Sequence, residues 1–336
     1  MVKETYDRFV KIYGIGRIYF STTADLIKPL RKIFPNVPAD KFIVEPSRRD
    51  TGPAMGFAAL ILFLKEPDEP MVFAPSDHFV GDLNKFLACF KIGEKLIKET
   101  SKMIDIGITA TFPSTVLGYT KIGKLYKKIN GMEVYNFDGH TEKPNSKTAS
   151  RYLLSGKYLW HGNYYMWTPR LFLEAIGKYA PIVYQGLMDI KDAWQKKNGR
   201  AVATTASASL AVAEIYSRIE KISFDYAVTE KIDKKRVLII KGDFCWNDIG
   251  AWDVLHEQLK STSDEKGNIL KGKIIHHDTE NSLLFSHHKK VMAVIGLNDF
   301  VVVDTEDALL VCPKSRAQEV KKLIEKMEDE DLSEYL

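Results

Sequence analysis

Residues 41–78 read KFIVEPSRRDTGPAMGFAALILFLKEPDEPMVFAPSDH. Two short apolar runs, Lys41 to Glu45 and Pro70 to Ala74, flank an alanine- and leucine-rich stretch from Thr51 to Lys65. The runs have strand length and the stretch has helix length, so the segment reads strand–helix–strand. A helical crossover joins parallel strands and should be right-handed. Both runs end in polar loops, Glu45-Pro46-Ser47-Arg48-Arg49 and Pro75-Ser76-Asp77-His78. In open α/β sheets the ligand crevice lies beyond such carboxyl ends.

The same alternation extends to either side. Glu4 to Tyr13, Asp25 to Phe34 and Leu83 to Thr100 have helical spacing, while Arg17 to Ser21 and Ile104 to Thr111 read as strands. Further on, Tyr119 to Ile122 and Val134 to Phe137 are predicted strands joined by a Lys-rich turn. Helices are predicted over Ser146 to Ser155, Pro169 to Tyr179, Ile182 to Lys196, Ser207 to Ile219 and Ala251 to Leu259, with a strand at Val237 to Lys241. The pattern implies an α/β fold with a Rossmann-like doubly wound mixed sheet. Near Ser261 the composition turns polar. Five short β runs follow at even spacing, then a charged helix from Ser315 to Met327. The expected domains are therefore residues 1–260 and a small β appendage over residues 261–336.

Composition excludes several classes. The chain has 336 residues, 45% hydrophobic and 27% charged, which is a globular balance. A net charge of +4 is too mild to argue for nucleic acid. The longest apolar run, Pro53 to Leu64, is too short to span a bilayer, and the N-terminus lacks a signal-peptide core. A soluble, cytoplasmic protein is expected. Cys89, Cys245 and Cys312 form no zinc spacing and are expected to be buried, reduced thiols.

Several residues could carry chemistry. Asp77 and Asp248 each follow an apolar strand and could share a hard divalent cation; alternatively each caps the next helix. Arg48 and Arg49 with Thr51 precede an apolar helix and could hold phosphate, although arginine pairs more often form a solvated surface. Glu142-Lys143 could meet a sugar hydroxyl and a phosphate, while spacing alone favours a surface ion pair. The histidine pairs His276-His277 and His287-His288 read as exposed, because neighbours on a strand face opposite sides. The sequence has no GxSxG, HExxH, Walker A or GxGxxG motif.

In order, the segments are Glu45 to Ala54 (EPSRRDTGPA), Pro75 to His78 (PSDH), Gly107 to Pro113 (GITATFP), Thr115 to Tyr119 (TVLGY), Glu142 to Pro144 (EKP), Ser223 to Lys231 (SFDYAVTEK) and Trp246 to Trp252 (WNDIGAW). From about Glu4 to about Leu310 the sequence resembles the mannose-1-phosphate guanylyltransferases, within the sugar-nucleotidyltransferases. The resemblance implies transfer of a guanylyl group from GTP to mannose 1-phosphate by Mg²⁺-assisted in-line attack, giving GDP-mannose and pyrophosphate. It implies that Asp77 and Asp248 hold Mg²⁺ and that Lys143 meets the sugar phosphate. Glu142, Gly118, Tyr119, Asn163 and Asp225 would contact the sugar. Glu45, Arg49, Thr51, Pro53, Ala54 and Ser76 would line the nucleotide. The β appendage resembles the family's C-terminal β-helix segment, and a homodimer is expected.

Two departures from the family pattern stand out. The family opens with a strand and a loop of the form GGxGTRLWPLSR, followed by a PKQ segment. This sequence opens at the helix expected after them, and truncation of a longer reading frame is the expectation. The isomerase domain of the family's bifunctional members is not expected here. The family's WNSGMF segment appears as Trp160-His161-Gly162-Asn163-Tyr164-Tyr165. The sugar is thereby left open, and the alternatives are another sugar 1-phosphate or a catalytically impaired, regulatory sugar-nucleotide-binding protein.

Overall fold

The strand–helix–strand unit is present in the computed structural model, which describes residues 1–198, 210–248, 250, 252–287, 289–330, 332 and 335. The chain divides into two units, Met1–Trp246 and Asn247–Leu336. The first runs through α1 (Val2–Tyr13), β1 (Phe20–Thr23), α2 (Ala24–Ile33), β2 (Phe42–Glu45), α3 (Thr51–Phe63), β3 (Met71–Phe73), β4 (Phe79–Val80) and α4 (Leu83–Thr100). It continues with β5 (Met103–Thr109), β6 (Tyr119–Ile129), β7 (Met132–Thr141), α5 (Ser146–Ser155), β8 (Tyr158–His161) and β9 (Tyr165–Trp167). Then come α6 (Pro169–Tyr179), α7 (Pro181–Asn198), α8 (Leu210–Arg218), β10 (Val237–Gly242) and β11 (Trp246–Asn247), which spans the division. Ser207, part of a predicted helix, lies outside the described residues.

Local chemistry sets these boundaries. The Asp82 carboxylate accepts the Lys85 amide at 3.0 Å and starts α4, which ends at Ser101 in the left-handed region. Asn145 caps α5 in the same way, and Gly156 closes it. Helix α3 is apolar on every side and is buried through Ile61, as an all-round hydrophobic helix must be. Its Phe57 meets Tyr216 edge to face, which ties α3 to α8.

The α/β doubly wound mixed sheet is found, and its centre is β5. Strand β10 runs parallel to β5, and β8 and β9 run antiparallel along the other edge. Strand β6 bonds both β8 and β7, and β7 returns to β10, so these pairings close on themselves. Strand β9 continues outward to β3, the last strand of this sheet. Strands β1 and β2 pair in parallel as a separate two-stranded sheet.

Three expectations are corrected. The segment expected to be a Lys-rich turn is strand: Lys124, Lys127 and Lys128 lie within β6, and the turn is Asn130-Gly131. Both turn residues have positive φ, the geometry that an Asn-Gly hairpin supplies. Arg17 belongs to a short 3₁₀ turn, and β1 begins only at Phe20. Of the cysteines, Cys89 is buried, but Cys245 is exposed and Cys312 half-buried.

The second unit contains α9 (Trp252–Gln258), β12 (Ile269–Lys271), β13 (Ile274–His277), β14 (Leu283–Ser286), β15 (Met292–Ile295), β16 (Phe300–Asp304), β17 (Leu309–Pro313) and α10 (Val320–Asp329). The parallel ladders β12–β14–β16 and β13–β15 stack successive short strands in the manner of a β-helix. Trp252, Leu255 and Leu259 pack against the small core of Ile269, Leu283, Val301 and Val303, which groups residues 247–260 with this unit rather than the first. On β13, His276 is half-buried beside Asp264 and His277 faces solvent; His288 lies outside the described residues.

Gly52, in the first turn of α3, donates its amide to the Ile222 carbonyl at 2.9 Å. A Cβ there would stand 2.6 Å from the same oxygen. Gly52→Ala is expected to cost about 1–3 kcal/mol through overpacking, seen as a lower urea midpoint with unchanged slope.

Candidate active site

The first unit gathers a cluster of buried polar groups around β5. Asp105 lies in the middle of the strand, fully enclosed. Its Oδ2 accepts the Thr120 hydroxyl at 2.8 Å, and its Oδ1 lies 2.8 Å from His161 Nδ1 on β8. Burial opposes charge on Asp105, but the imidazolium of His161 prevails and holds the carboxyl below its usual range. Burial likewise resists charge on His161, yet Asp105, then Asp225 and Glu142, push its pKa up to about 9. The pair is therefore ionised at neutral pH.

Around this pair stand the residues the resemblance assigned to the sugar. Asp225 Oδ1 lies 3.7 Å from His161 Nε2 and 3.5 Å from His140 Nε2, and it accepts the Tyr165 hydroxyl. Glu142 Oε2 is 3.4 Å from His140 Nε2. Burial raises the Glu142 pKa, but His140, Lys143 and His161 together bring it below the usual value. Gly118 is required by close approach: a Cβ there would meet Glu142 Oε2 at 2.4 Å. The Gly118 carbonyl also accepts the His161 amide at 2.8 Å. Tyr119 is buried, its hydroxyl on the Ser114 carbonyl. Asn163 is half-buried, with φ 55 in the left-handed region. Lys143 is exposed at the rim, its Nζ 3.4 Å from Glu142 Oε1.

The cluster is rich in acceptors, which suits hydroxyl donors better than an anion; the exposed Lys143 ammonium beside it is suited to a phosphate. His140, Glu142 and Asp225 bring donor atoms within 4.8 Å of one another. Their mixed imidazole–carboxylate set is a poor match to Mg²⁺, which prefers oxygen ligands.

Residues assigned to the nucleotide are placed differently. Glu45 accepts the Tyr216 hydroxyl at 2.7 Å, and burial raises its pKa. Arg49 donates to the Ser217 carbonyl, and Arg48 pairs with Asp25 at 2.9 Å. The Thr51 hydroxyl accepts the Phe224 amide at 2.9 Å. Asp50 covers the start of α3, accepting the Thr51 amide at 2.7 Å. Both guanidiniums thus have protein partners. Pro53 is buried and Ala54 half-buried in the first turn of α3.

The loop after β3 is pinned from three sides. Thr5 donates to the Ser76 carbonyl at 3.1 Å and Arg8 to the His78 carbonyl at 2.8 Å. His78 Nδ1 accepts the Trp246 indole N–H at 3.0 Å and meets the Tyr164 hydroxyl. Burial pushes the His78 pKa down to about 3, so it is neutral. Ser76 and Asp77 are left exposed between these anchors. Asp77 is not a helix cap, since Asp82 starts α4. Asp248 is half-buried in the second unit.

Asp105, His140, Thr120 and Tyr165 were not singled out in the sequence, and His161 appeared only as a departure from a motif. Asp105 could have been found as the lone acid in an apolar strand, IDIGIT, since a buried acid demands a partner.

Comparison with known proteins places the site in a family. The Nucleotidyl transferase model matches residues 37–265, and the MannoseP isomerase/GMP-like beta-helix domain matches residues 272–327. A mannose-1-phosphate guanylyltransferase of Escherichia coli is 32% identical over 308 residues, covering 91% of this chain and 62% of that protein. One from Klebsiella pneumoniae is 31% identical over 312 residues, covering 93% and 62%. The chain thus spans less than two thirds of the length of these curated relatives. A solved structure described as mannose-1-phosphate geranyltransferase from Thermus thermophilus superposes with a TM-score of 0.78. It covers 97% of this chain and 89% of its own, and at 24% identity it supports the fold alone.

The Asp105–His161 pair sets a pH dependence. His161 is raised from 6.5 in the unfolded chain to about 9, so its stabilisation is complete below pH 6.5 and lost as pH rises through 9. Urea unfolding at a series of pH values should show stability falling across that window. His161→Ala is expected to cost about 3–5 kcal/mol at pH 7, because it strands a buried carboxylate; Asp105→Asn with His161→Gln should recover part of that loss.

Proposed function

We propose, from the premise that the chain belongs to the nucleotidyl transferase family, that it transfers a guanylyl group from GTP to mannose 1-phosphate, giving GDP-mannose and pyrophosphate. The observation that carries this reading is the convergence of Gly118, Glu142 and Asp225 in one acceptor-rich cluster, with Lys143 beside it. Glu142 and Asp225 accept the hexose hydroxyls. The Lys143 ammonium holds the sugar phosphate so that its oxygen faces the α-phosphorus of the nucleotide. Attack in line forms the new P–O bond as the bond to pyrophosphate breaks, and positioning with charge neutralisation supplies the acceleration.

Asp77 and Asp248 are the carboxylates proposed to hold Mg²⁺. The donor chemistry fits: Asp77 is an exposed oxygen ligand on a pinned loop, not engaged as a cap. Mg²⁺, when bound, neutralises phosphate charge. The two aspartates belong to different units, so their roles are tested one at a time. Glu45, Arg49, Thr51, Pro53, Ala54 and Ser76 remain the proposed nucleotide side, with Glu45, Arg49 and Thr51 acting through the backbone they brace.

A second reading, another sugar 1-phosphate, is favoured by His161. It places an imidazolium 3.7 Å from Asp225 where the family pattern has a neutral asparagine. We further propose a homodimer, supported by Ile275 and Ile295, which stand exposed on neighbouring strands of the second unit. A monomer by light scattering overturns it. Activity in the cytoplasm is also proposed; the chain has no helix, among the described residues, long and apolar enough to cross a membrane.

Pyrophosphate release should require GTP, mannose 1-phosphate and Mg²⁺ together, and should disappear in Asp77→Asn and in Asp248→Ala. A panel of sugar 1-phosphates distinguishes the two readings by kcat/KM. Glu142→Gln should raise KM for the sugar phosphate roughly 10–100-fold, the range of a charged hydrogen bond at about 1.5–3 kcal/mol. An unchanged KM would remove Glu142 from the sugar.

A further inference from the structure

His140 lies near the end of β7, and Glu142 directly follows that strand. Two residues apart on extended backbone, they share one face. Asp225 reaches the same place from the helical turn Asp225–Thr229. The His140 side chain is fully enclosed, while Glu142 and Asp225 each keep 11% of theirs exposed, enough to leave a way in.

Four features point to a cation among these three. First, His140 is held as a metal ligand is held. The Thr120 hydroxyl spends its proton on Asp105 Oδ2, so its oxygen can only accept from His140 Nδ1, 3.4 Å away. The Nε2 lone pair of neutral His140 then faces two carboxylates, Glu142 Oε2 at 3.4 Å and Asp225 Oδ1 at 3.5 Å. Second, the spacing selects a geometry. Donors about 2.0–2.2 Å from Zn²⁺ stand roughly 3.3–3.6 Å apart at the corners of a tetrahedron. Donors around octahedral Mg²⁺ stand closer, at roughly 2.8–3.0 Å. The third pair, Glu142 and Asp225, lies within 4.8 Å, and the soft terminal torsion of Glu142 can close it. Third, His161 Nε2 is buried without a hydrogen-bond partner, 3.7 Å from the same Asp225 oxygen. Its ring packs edge to face on His140. Fourth, charge is left over. Asp105 and His161 cancel each other, which leaves two largely buried carboxylates with only the exposed Lys143 against them.

We propose that His140, Glu142 and Asp225 form a site for one Zn²⁺ ion, separate from the Mg²⁺ proposed at Asp77 and Asp248. One imidazole and two carboxylates are a three-ligand zinc set with the fourth corner open to water or a hydroxyl. Thr120 and Asp105 stand behind it and orient His140. The ion and a hexose call on the same carboxylate oxygens, so each weakens the binding of the other. That last consequence rests on the proposed transfer reaction; the ion site itself does not.

The test is calorimetric titration of the untagged, chelator-treated chain with Zn²⁺ and, separately, with Mg²⁺. One Zn²⁺ per chain should bind at micromolar or lower concentration, and excess Mg²⁺ should not displace it. His140→Gln should weaken Zn²⁺ binding at least about tenfold, since partners standing behind a ligand are already worth roughly 10–100-fold. His276→Ala should leave it unchanged; that variant removes the exposed histidine beside Asp264, the other place where Zn²⁺ could settle. Co²⁺ gives a second reading: the wild-type chain should show the intense visible absorption of a tetrahedral site, and His140→Gln should not. A urea midpoint for His140→Gln confirms that the variant is folded. No Zn²⁺ binding, or equal binding by wild type and folded His140→Gln, overturns the proposal, as does binding lost in His276→Ala. Saturating mannose 1-phosphate should weaken Zn²⁺ binding at least tenfold at equal free Zn²⁺. Binding that needs His140 but ignores the sugar phosphate supports the ion site and removes the sugar from it, so the two readings fail separately.

Discussion

An acid in the middle of a buried strand must be neutralised where it lies, and Asp105 is that acid. Strand β5 has β10 on one edge and β8 with β9 on the other, and the Asp105 side chain is buried among its neighbours, away from water. The compensating charge has to come from a neighbouring strand, and His161 supplies it across β8. His161 is then held by its own backbone, donating to Gly118, while Gly162 donates to Ile106. Those bonds fix the start of β6, where Gly118 lets Glu142 approach. The positions of Glu142 and Asp225 thus follow from how one buried carboxylate is satisfied. Buried ion pairs are weak evidence for net stability, but they do impose one arrangement on their partners. Here that arrangement is a wall of hydrogen-bond acceptors.

The fold was legible because its determinants are local. The apolar runs at Phe42–Glu45 and Met71–Phe73 have strand length, and the helix between them is capped and bounded within its own sequence. Periodicity failed at β6, where lysines on an exposed strand resemble a loop by composition; the Asn130-Gly131 pair was the better signal. The site was legible only through motifs. Glu142 and Asp225 lie on separate elements, and their meeting depends on how β7 returns to β10 and how Tyr165 anchors Asp225. No periodicity encodes that. His161 illustrates the limit most plainly. As a departure from a motif it signals altered sugar contacts, but its charge is decided by Asp105, which is remote in sequence and lies two residues along β5 from Gly107, the register partner of His161.

The residues proposed for the nucleotide follow a different logic. Arg8, Arg48 and Arg49 all stand near strand ends, yet each already holds a protein group: the His78 carbonyl, Asp25 and the Ser217 carbonyl. The first turn of α3 is covered by Asp50. These contacts rigidify the two loops after β2 and β3, and they reduce the number of donors free to face a polyphosphate. The residues proposed for the sugar set His161 and Lys143 against Asp105, Glu142 and Asp225, while those proposed for the nucleotide are braced by contacts within the protein.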